Sequence, residues 1–276
     1  MDSSTVIQPG APQSRFRWPE ALADLIGGLK LWELWSALGW HDIRQRYRRS
    51  VVGPFWLTLS MGIMVAGLAY LYAGLLGQNI ENYLPYVATG IIVFSLISSL
   101  ASEGSLVFIS SSSLLLQLRA PLSIYIYQMV WRNLIIFAHN ISIYVVILIF
   151  AQVSIGWNIL LSFVGLLMIM LTGVWIGITL GGLSARYRDV PPIVASVMQV
   201  AFFLTPIFWT PESLPNRALF VQLNPFYYLI EVVRLPLMGQ TPPLSMWLVV
   251  IGLNCAGALV AVTFYARYRS RIAYWV

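Results

Sequence analysis

Six stretches of the chain are almost wholly apolar, at about 52–76, 84–103, 124–151, 158–184, 191–209 and 245–266. As helices rising about 1.5 Å per residue, all six are long enough or nearly so for a hydrocarbon core of about 30 Å. Backbone polar groups find no water there, so each segment must satisfy its own hydrogen bonds, and the pattern predicts an all-α, polytopic membrane protein with six transmembrane helices.

Three other intervals have patterns of their own. Residues 1–19 are rich in turn formers and read as a mobile tail. In residues 20–50, Leu25, Leu29, Trp32 and Trp35 recur at helical spacing among Asp24, Lys30 and Glu33, and Arg44, Arg46, Arg48 and Arg49 follow. This predicts an amphipathic interfacial helix with tryptophans and arginines at the headgroups; a helix packed only on protein is the alternative. Residues 51–276 form the six-span domain.

Between segments two and three, Ser110, Ser111, Ser112 and Ser113 lead into Leu114, Leu115, Leu116, Gln117 and Leu118, then Arg119. The interval reads as a short apolar helix. Between segments five and six, residues 210–243 are broken by Pro211, Pro215, Pro225 and Pro236 but hold Phe220, Phe226, Tyr227, Tyr228, Leu229 and Ile230. Too interrupted to span and too apolar for water, this interval predicts a re-entrant pair of short helices.

Composition removes whole classes of function. Hydrophobic residues make up 59% of 276 and charged residues 9%, against about 45–50% and about 25% in soluble domains. No space remains for a large soluble domain. No phosphate-binding loop occurs, and the only lysine, Lys30, follows Leu29. Neither ATP nor Mg is expected on this chain. Its single cysteine, Cys255, and its two histidines, His41 and His139, give no metal-ligand spacing; H-E-x-x-H and G-x-S-x-G are absent, so an enzyme is not expected.

The net charge of +6 is unevenly placed. The basic cluster at 44–49, Arg119, Arg186 with Arg188, and Arg267, Arg269 and Arg271 all fall on one side of the predicted topology. The intervening turns at 77–83 and around Gly156 carry no base. The positive-inside rule places both termini in the cytoplasm, and the arginines face an anionic membrane surface, not nucleic acid. The first residues lack the pattern of a cleaved leader, so the first span is expected to direct insertion.

Within segment three, Gln128, Arg132, His139 and Ser142 share a helical face. Glu103, at the end of segment two, is predicted to pair with Arg132, because either charge alone would cost at least about 2.5–3.5 kcal/mol in the bilayer. Fixing packing is the simplest purpose of such a pair. The cluster Phe202, Phe203, Phe208, Trp209, Phe226, Tyr227 and Tyr228 could stack on sugar rings along a path or pack as ordinary core.

Five motifs occur in order: Arg-Tyr-Arg-Arg-Ser at 46–50 leading to Gly53, Pro54, Phe55 and Trp56; Ala-Arg-Tyr-Arg-Asp-Val at 185–190; Leu-Thr-Pro-Ile-Phe-Trp at 204–209; Asn-Pro-Phe at 224–226; and the ending Arg-Ile-Ala-Tyr-Trp-Val. Together with the six-span plan they resemble the membrane subunit of type-2 ABC exporters for polysaccharides, especially O-antigen. The resemblance implies a homodimer in the bacterial inner membrane, joined by two copies of a separate ABC ATPase that binds ATP and Mg, exporting a lipid-linked polysaccharide. It implies that 110–119, with Ser111, Ser112, Leu114, Leu115, Leu118 and Arg119, is the helix that couples to the ATPase. Residues 209–234 would form the external gate, and about 20–45 would flank the site where the lipid-linked substrate enters. A permease for capsule, teichoic acid, another lipid or a drug would share the plan. A secondary transporter would need coupling carboxylates and repeats that are not evident.

Overall fold

A computed structural model describes residues 16–48, 55–117, 120–151, 153, 156–211 and 218–276. Among the described residues there is no strand. The helices are α1 (Trp18–Lys30), α2 (Trp32–Tyr47), α3 (Phe55–Leu76), α4 (Ile80–Ser110), α5 (Ser112–Gln117), α6 (Ser123–Phe150), α7 (Ile159–Arg186), α8 (Val190–Leu204), α9 (Ala218–Gln222), α10 (Pro225–Leu237) and α11 (Leu244–Trp275). The chain is therefore an all-helical, multi-pass membrane protein.

Five of these helices, α3, α4, α6, α7 and α11, are long and apolar enough to cross a bilayer. The fifth apolar segment does not continue to Trp209 as one helix. Thr205 precedes Pro206, whose ring disfavours helical geometry at the residue before it, and Thr205 is extended at φ −92° and ψ 141°. That leaves α8 with 15 residues, begun by prolines in its first turn, and about 22 Å long at 1.5 Å per residue.

Most of α4 is buried, and α3, α6, α7, α8 and α10 pack around it. It starts where Gly77 (φ +62°) turns the chain and the Asn79 side chain accepts the Glu81 N–H at 2.9 Å. Its closest approach is to α7, where Gly173, Gly177 and Gly181 recur every fourth residue. A Cβ on Gly181 would lie 2.6 Å from Val107 Cγ1 and 2.9 Å from the Gly104 carbonyl oxygen. Small residues at this spacing permit helix contact in lipid, where no hydrophobic force drives helices together. Gly181→Val is expected to cost about 1–3 kcal/mol by overpacking. In a denaturant titration of the purified chain, Gly74→Ala, where a Cβ meets nothing within 4 Å, should be neutral.

The N-terminal segment is two helices, not one. They meet at Leu31 (φ −85°, ψ 42°), whose N–H caps Gly28. One face of the pair packs on protein, α1 against α6 and α11 and α2 against α6. The other leaves Leu22, Ile26, Leu29 and Trp32 exposed. The segment is therefore not packed on protein on every face. Trp35 is half-buried, its ring 6.1 Å from Trp131 and 6.2 Å from Tyr127. The interval 210–243 contains the short helices α9 and α10. The Asn-Pro-Phe motif is the start of α10: Asn224 accepts the Phe226 N–H at 3.0 Å and Pro225 occupies the first turn.

Candidate functional site

The sequence features that promised chemistry gather at the two ends of the bundle. At the basic end, α6 presents Tyr125, Gln128, Met129 and Arg132 on one face. Arg132 joins three helices: Nη2 is 2.8 Å from Glu103 Oε2 on α4, and Nη1 is 2.5 Å from Asp42 Oδ2 on α2. Asn133 donates to the same Glu103 oxygen at 2.8 Å, and Gln128 Nε2 donates to Asp42 at 2.8 Å. A cation shared between two carboxylates ties the N-terminal helices to the core. Asp42 and Asn133 were not anticipated; Asp42 sits in the polar run before the arginines, with no local signal of its partner.

Beside this cluster is a cavity of about 460 Å³, walled by α2, the end of α4, α5 and α6. The hinge from α4 to α5 forms one wall through Ser110, Ser111 and Leu114. In α5, Leu114 is exposed whereas Leu115 packs into the core, so the outward apolar surface predicted for both leucines belongs to Leu114. Ser112 is half-buried. Leu118, Arg119 and Arg49 lie outside the described residues, as does the side chain of Arg46. Arg44 on α2 and Arg48 just past its end are exposed.

A second cluster closes the same end. The buried Asp24 carboxylate on α1 accepts the N–H groups of Leu122 and Ser123 at 3.2 and 3.1 Å, the Tyr265 hydroxyl at 2.7 Å and Arg269 Nε at 2.8 Å. The Ser123 hydroxyl donates to the Asp24 carbonyl oxygen at 2.8 Å. With Arg17 N–H bonded to the Ala266 carbonyl at 3.1 Å and Arg186 over the Trp275 ring, these contacts bring the basic flanks of the chain together.

At the far end, residues 205–209 leave carbonyls that no helix satisfies, and α4 and α10 supply the donors. Tyr83 donates to Phe208 O, Tyr86 to Trp209 O at 3.1 Å, and Arg234 Nη2 to Pro206 O at 2.9 Å. Arg234 is fully buried, pairs with Glu231 at 2.8 Å, and lies 4.0 Å above the Tyr86 ring. Acid and base three residues apart in an apolar helix were a signal of this pair that the sequence reading passed over.

The predicted aromatic cluster divides. Phe208 is buried against Tyr72 and Phe202 and so is withdrawn from any surface path. Phe203 is exposed, while Phe202, Trp209, Phe226, Tyr227 and Tyr228 are half-buried near it or on α10. His139 is exposed on α6, Nδ1 2.8 Å from its own helix's Ile135 O, and does not join the Arg132 cluster. Among the described residues no group of three or more metal-ligating side chains occurs.

Residues 33–238 match the family model described as ABC-2 type transporter. The O-antigen export system permease protein RfbA of Myxococcus xanthus is 23% identical over 193 residues, covering 68% of this chain and 74% of that protein. The family match runs from the start of α2 to just past α10 and takes in the Arg132 cluster, α5 and the far-end turn. By that match the chain belongs to the ABC-2 type transporter family and is a permease component, not a catalytic domain.

Proposed function

We propose that this chain is the membrane subunit of an ATP-driven exporter that moves a lipid-linked polysaccharide of the O-antigen kind from cytoplasm to periplasm, through a channel formed by two copies. The observation that carries this is the likeness to an O-antigen export permease over most of both chains. The basic end is the cytoplasmic end, with both termini there and the chain in the bacterial inner membrane, by the arginine asymmetry. Two copies of a separate ABC ATPase, holding ATP and Mg, dock on α5. The exposed Phe203 and the half-buried Trp209, Tyr227 and Tyr228 line the external exit, where stacking tolerates a polymer sliding past.

Depleting the chain in its own cells tests the reading. Glycan should then be labelled by a lectin only after permeabilisation, whereas unchanged labelling of intact cells would refute the assignment. The docking surface has its own test. Leu114→Asp, at an exposed position, is expected to weaken ATPase binding by at least about ten-fold, as charge in an apolar contact does, with folding retained. Unaltered affinity in a co-purification titration would remove α5 as the docking helix.

A further inference from the structure

The spans α7 and α11 are joined by a polar contact inside the bilayer: Asn254 Oδ1 accepts from Thr172 Oγ1 at 3.1 Å and from Trp175 Nε1 at 3.3 Å. Beside this seam lies a groove of about 410 Å³, within the about 300–1,000 Å³ of small-ligand pockets. It runs from Ile178 to Met168 along α7 and from Val262 to Ile251 along α11. Leu25, next to Asp24, and Tyr127, one turn above Ser123, close it at the basic end. At about 1.5 Å per residue its length is about 15–17 Å, half of a hydrocarbon core of about 30 Å.

No amide, indole or phenol in the wall is left to bind a polar ligand. Asn254 Nδ2 donates to Val250 O at 3.0 Å, its oxygen takes the two donors above, and the Tyr127 hydroxyl donates to Leu25 O at 3.0 Å. Apart from the Cys255 thiol, the remaining wall is hydrocarbon. A sugar or a phosphate would give up its water there and gain no bond in return. The mouth of the groove decides the source of an apolar occupant. Leu171 and Ile251 line it and are exposed, and both belong to helices long and apolar enough to cross a bilayer. The groove is thus continuous with the lipid boundary of two spans and as long as one leaflet is deep. Hydrocarbon already surrounds those spans, so what the groove adds is close packing on both sides of a single chain.

We infer that this groove is a binding site for one acyl chain of a bilayer phospholipid, drawn from the leaflet at the basic end and held lengthwise between α7 and α11. The chain covers Trp175 and Asn254 and keeps water from the hydrogen bonds that join the two spans. The occupant is a lipid of the membrane itself and not cargo.

Photocross-linking of the full chain tests this in vesicles of phosphatidylethanolamine and phosphatidylglycerol. The probe is a trace of phosphatidylethanolamine bearing a diazirine midway along one acyl chain. Adducts mapped by mass spectrometry should concentrate on the groove wall around Leu171 and Ile251. Leu259 and Val260 of α11 are the internal comparison: they lie outside the groove and should carry fewer adducts, although they are 66% and 60% exposed against 44% for Ile251. Ala258→Trp, at an exposed position on the wall, should fill the groove and abolish the wall adducts, whereas Leu259→Trp should leave them. If Ala258→Trp does not fold, Cys255→Phe, also exposed on the wall, is the substitute with the same expected loss. Adducts that follow exposure alone, or that persist in a wall variant with the melting temperature of the unaltered chain, overturn the site. So does displacement of the wall adducts by unlabelled polyprenyl phosphate but not by an equal amount of unlabelled phospholipid, which would give the groove to a carrier lipid.

Discussion

Arg234→Met is expected to destabilise the chain by about 3–5 kcal/mol, the range for breaking a buried ion pair from one side. The guanidinium is fully buried and serves three elements at once: Glu231 on its own helix, the Pro206 carbonyl in the far-end turn and the Tyr86 ring on α4. Methionine fills much of the volume but leaves Glu231 without this cation and Pro206 O without this donor. Adding Glu231→Leu removes the acid together with the base, so the double variant should recover much of the loss, as apolar replacements of whole buried pairs often do. Denaturant titrations of the single and double variants in mixed micelles measure the difference. Additive losses would mean that the two residues do not act as a pair.

The second large effect is at Asp24. Asp24→Leu withdraws the acceptor from two backbone N–H groups, the Tyr265 hydroxyl and Arg269 at once. The expected cost is again about 3–5 kcal/mol, but localised: α1 should detach from α6 and α11 while the spans remain packed. Limited proteolysis between α1 and α2 should therefore accelerate well before the bulk unfolding transition moves. Asp24→Asn retains one acceptor oxygen and should fall between the two. A variant that keeps α1 protected as in the unaltered chain would show that Asp24 does not hold it. Asp24, Tyr265 and Arg269 lie outside the matched residues 33–238, whereas Leu122 and Ser123 lie within them.

What was legible in the sequence follows from the range of the interactions. Apolar runs and charge asymmetry are local, and they located the helical spans and gathered the arginines at one end. The Glu103–Arg132 contact could be anticipated because an unpaired charge in lipid is costly and few partners were at hand. Asp42, the third member, was hidden because it precedes a run of arginines and looks like part of a solvated face. Asp24 shares that disguise, and its partner Arg269 is 245 residues away. The fifth apolar segment was read through to Trp209 because Ile207, Phe208 and Trp209 are as apolar as the helix before them. Hydropathy does not register that Pro206 turns the chain and frees carbonyls that tyrosines elsewhere must satisfy. Leu115 and Leu114 are equally apolar neighbours, and only the packing of α5 separates core from surface.

The central claim is that this chain forms the path and a second polypeptide supplies the energy. Proteoliposomes containing the chain, with and without its ATPase partner, and a radiolabelled lipid-linked glycan in the outer leaflet, measure this directly. The account predicts no ATP hydrolysis by the rigorously purified chain. With the partner present, glycan should become protected from external glycosidase only when ATP and Mg are supplied. ATP hydrolysis by the chain alone, or protection driven by an ion gradient without ATP, would contradict it.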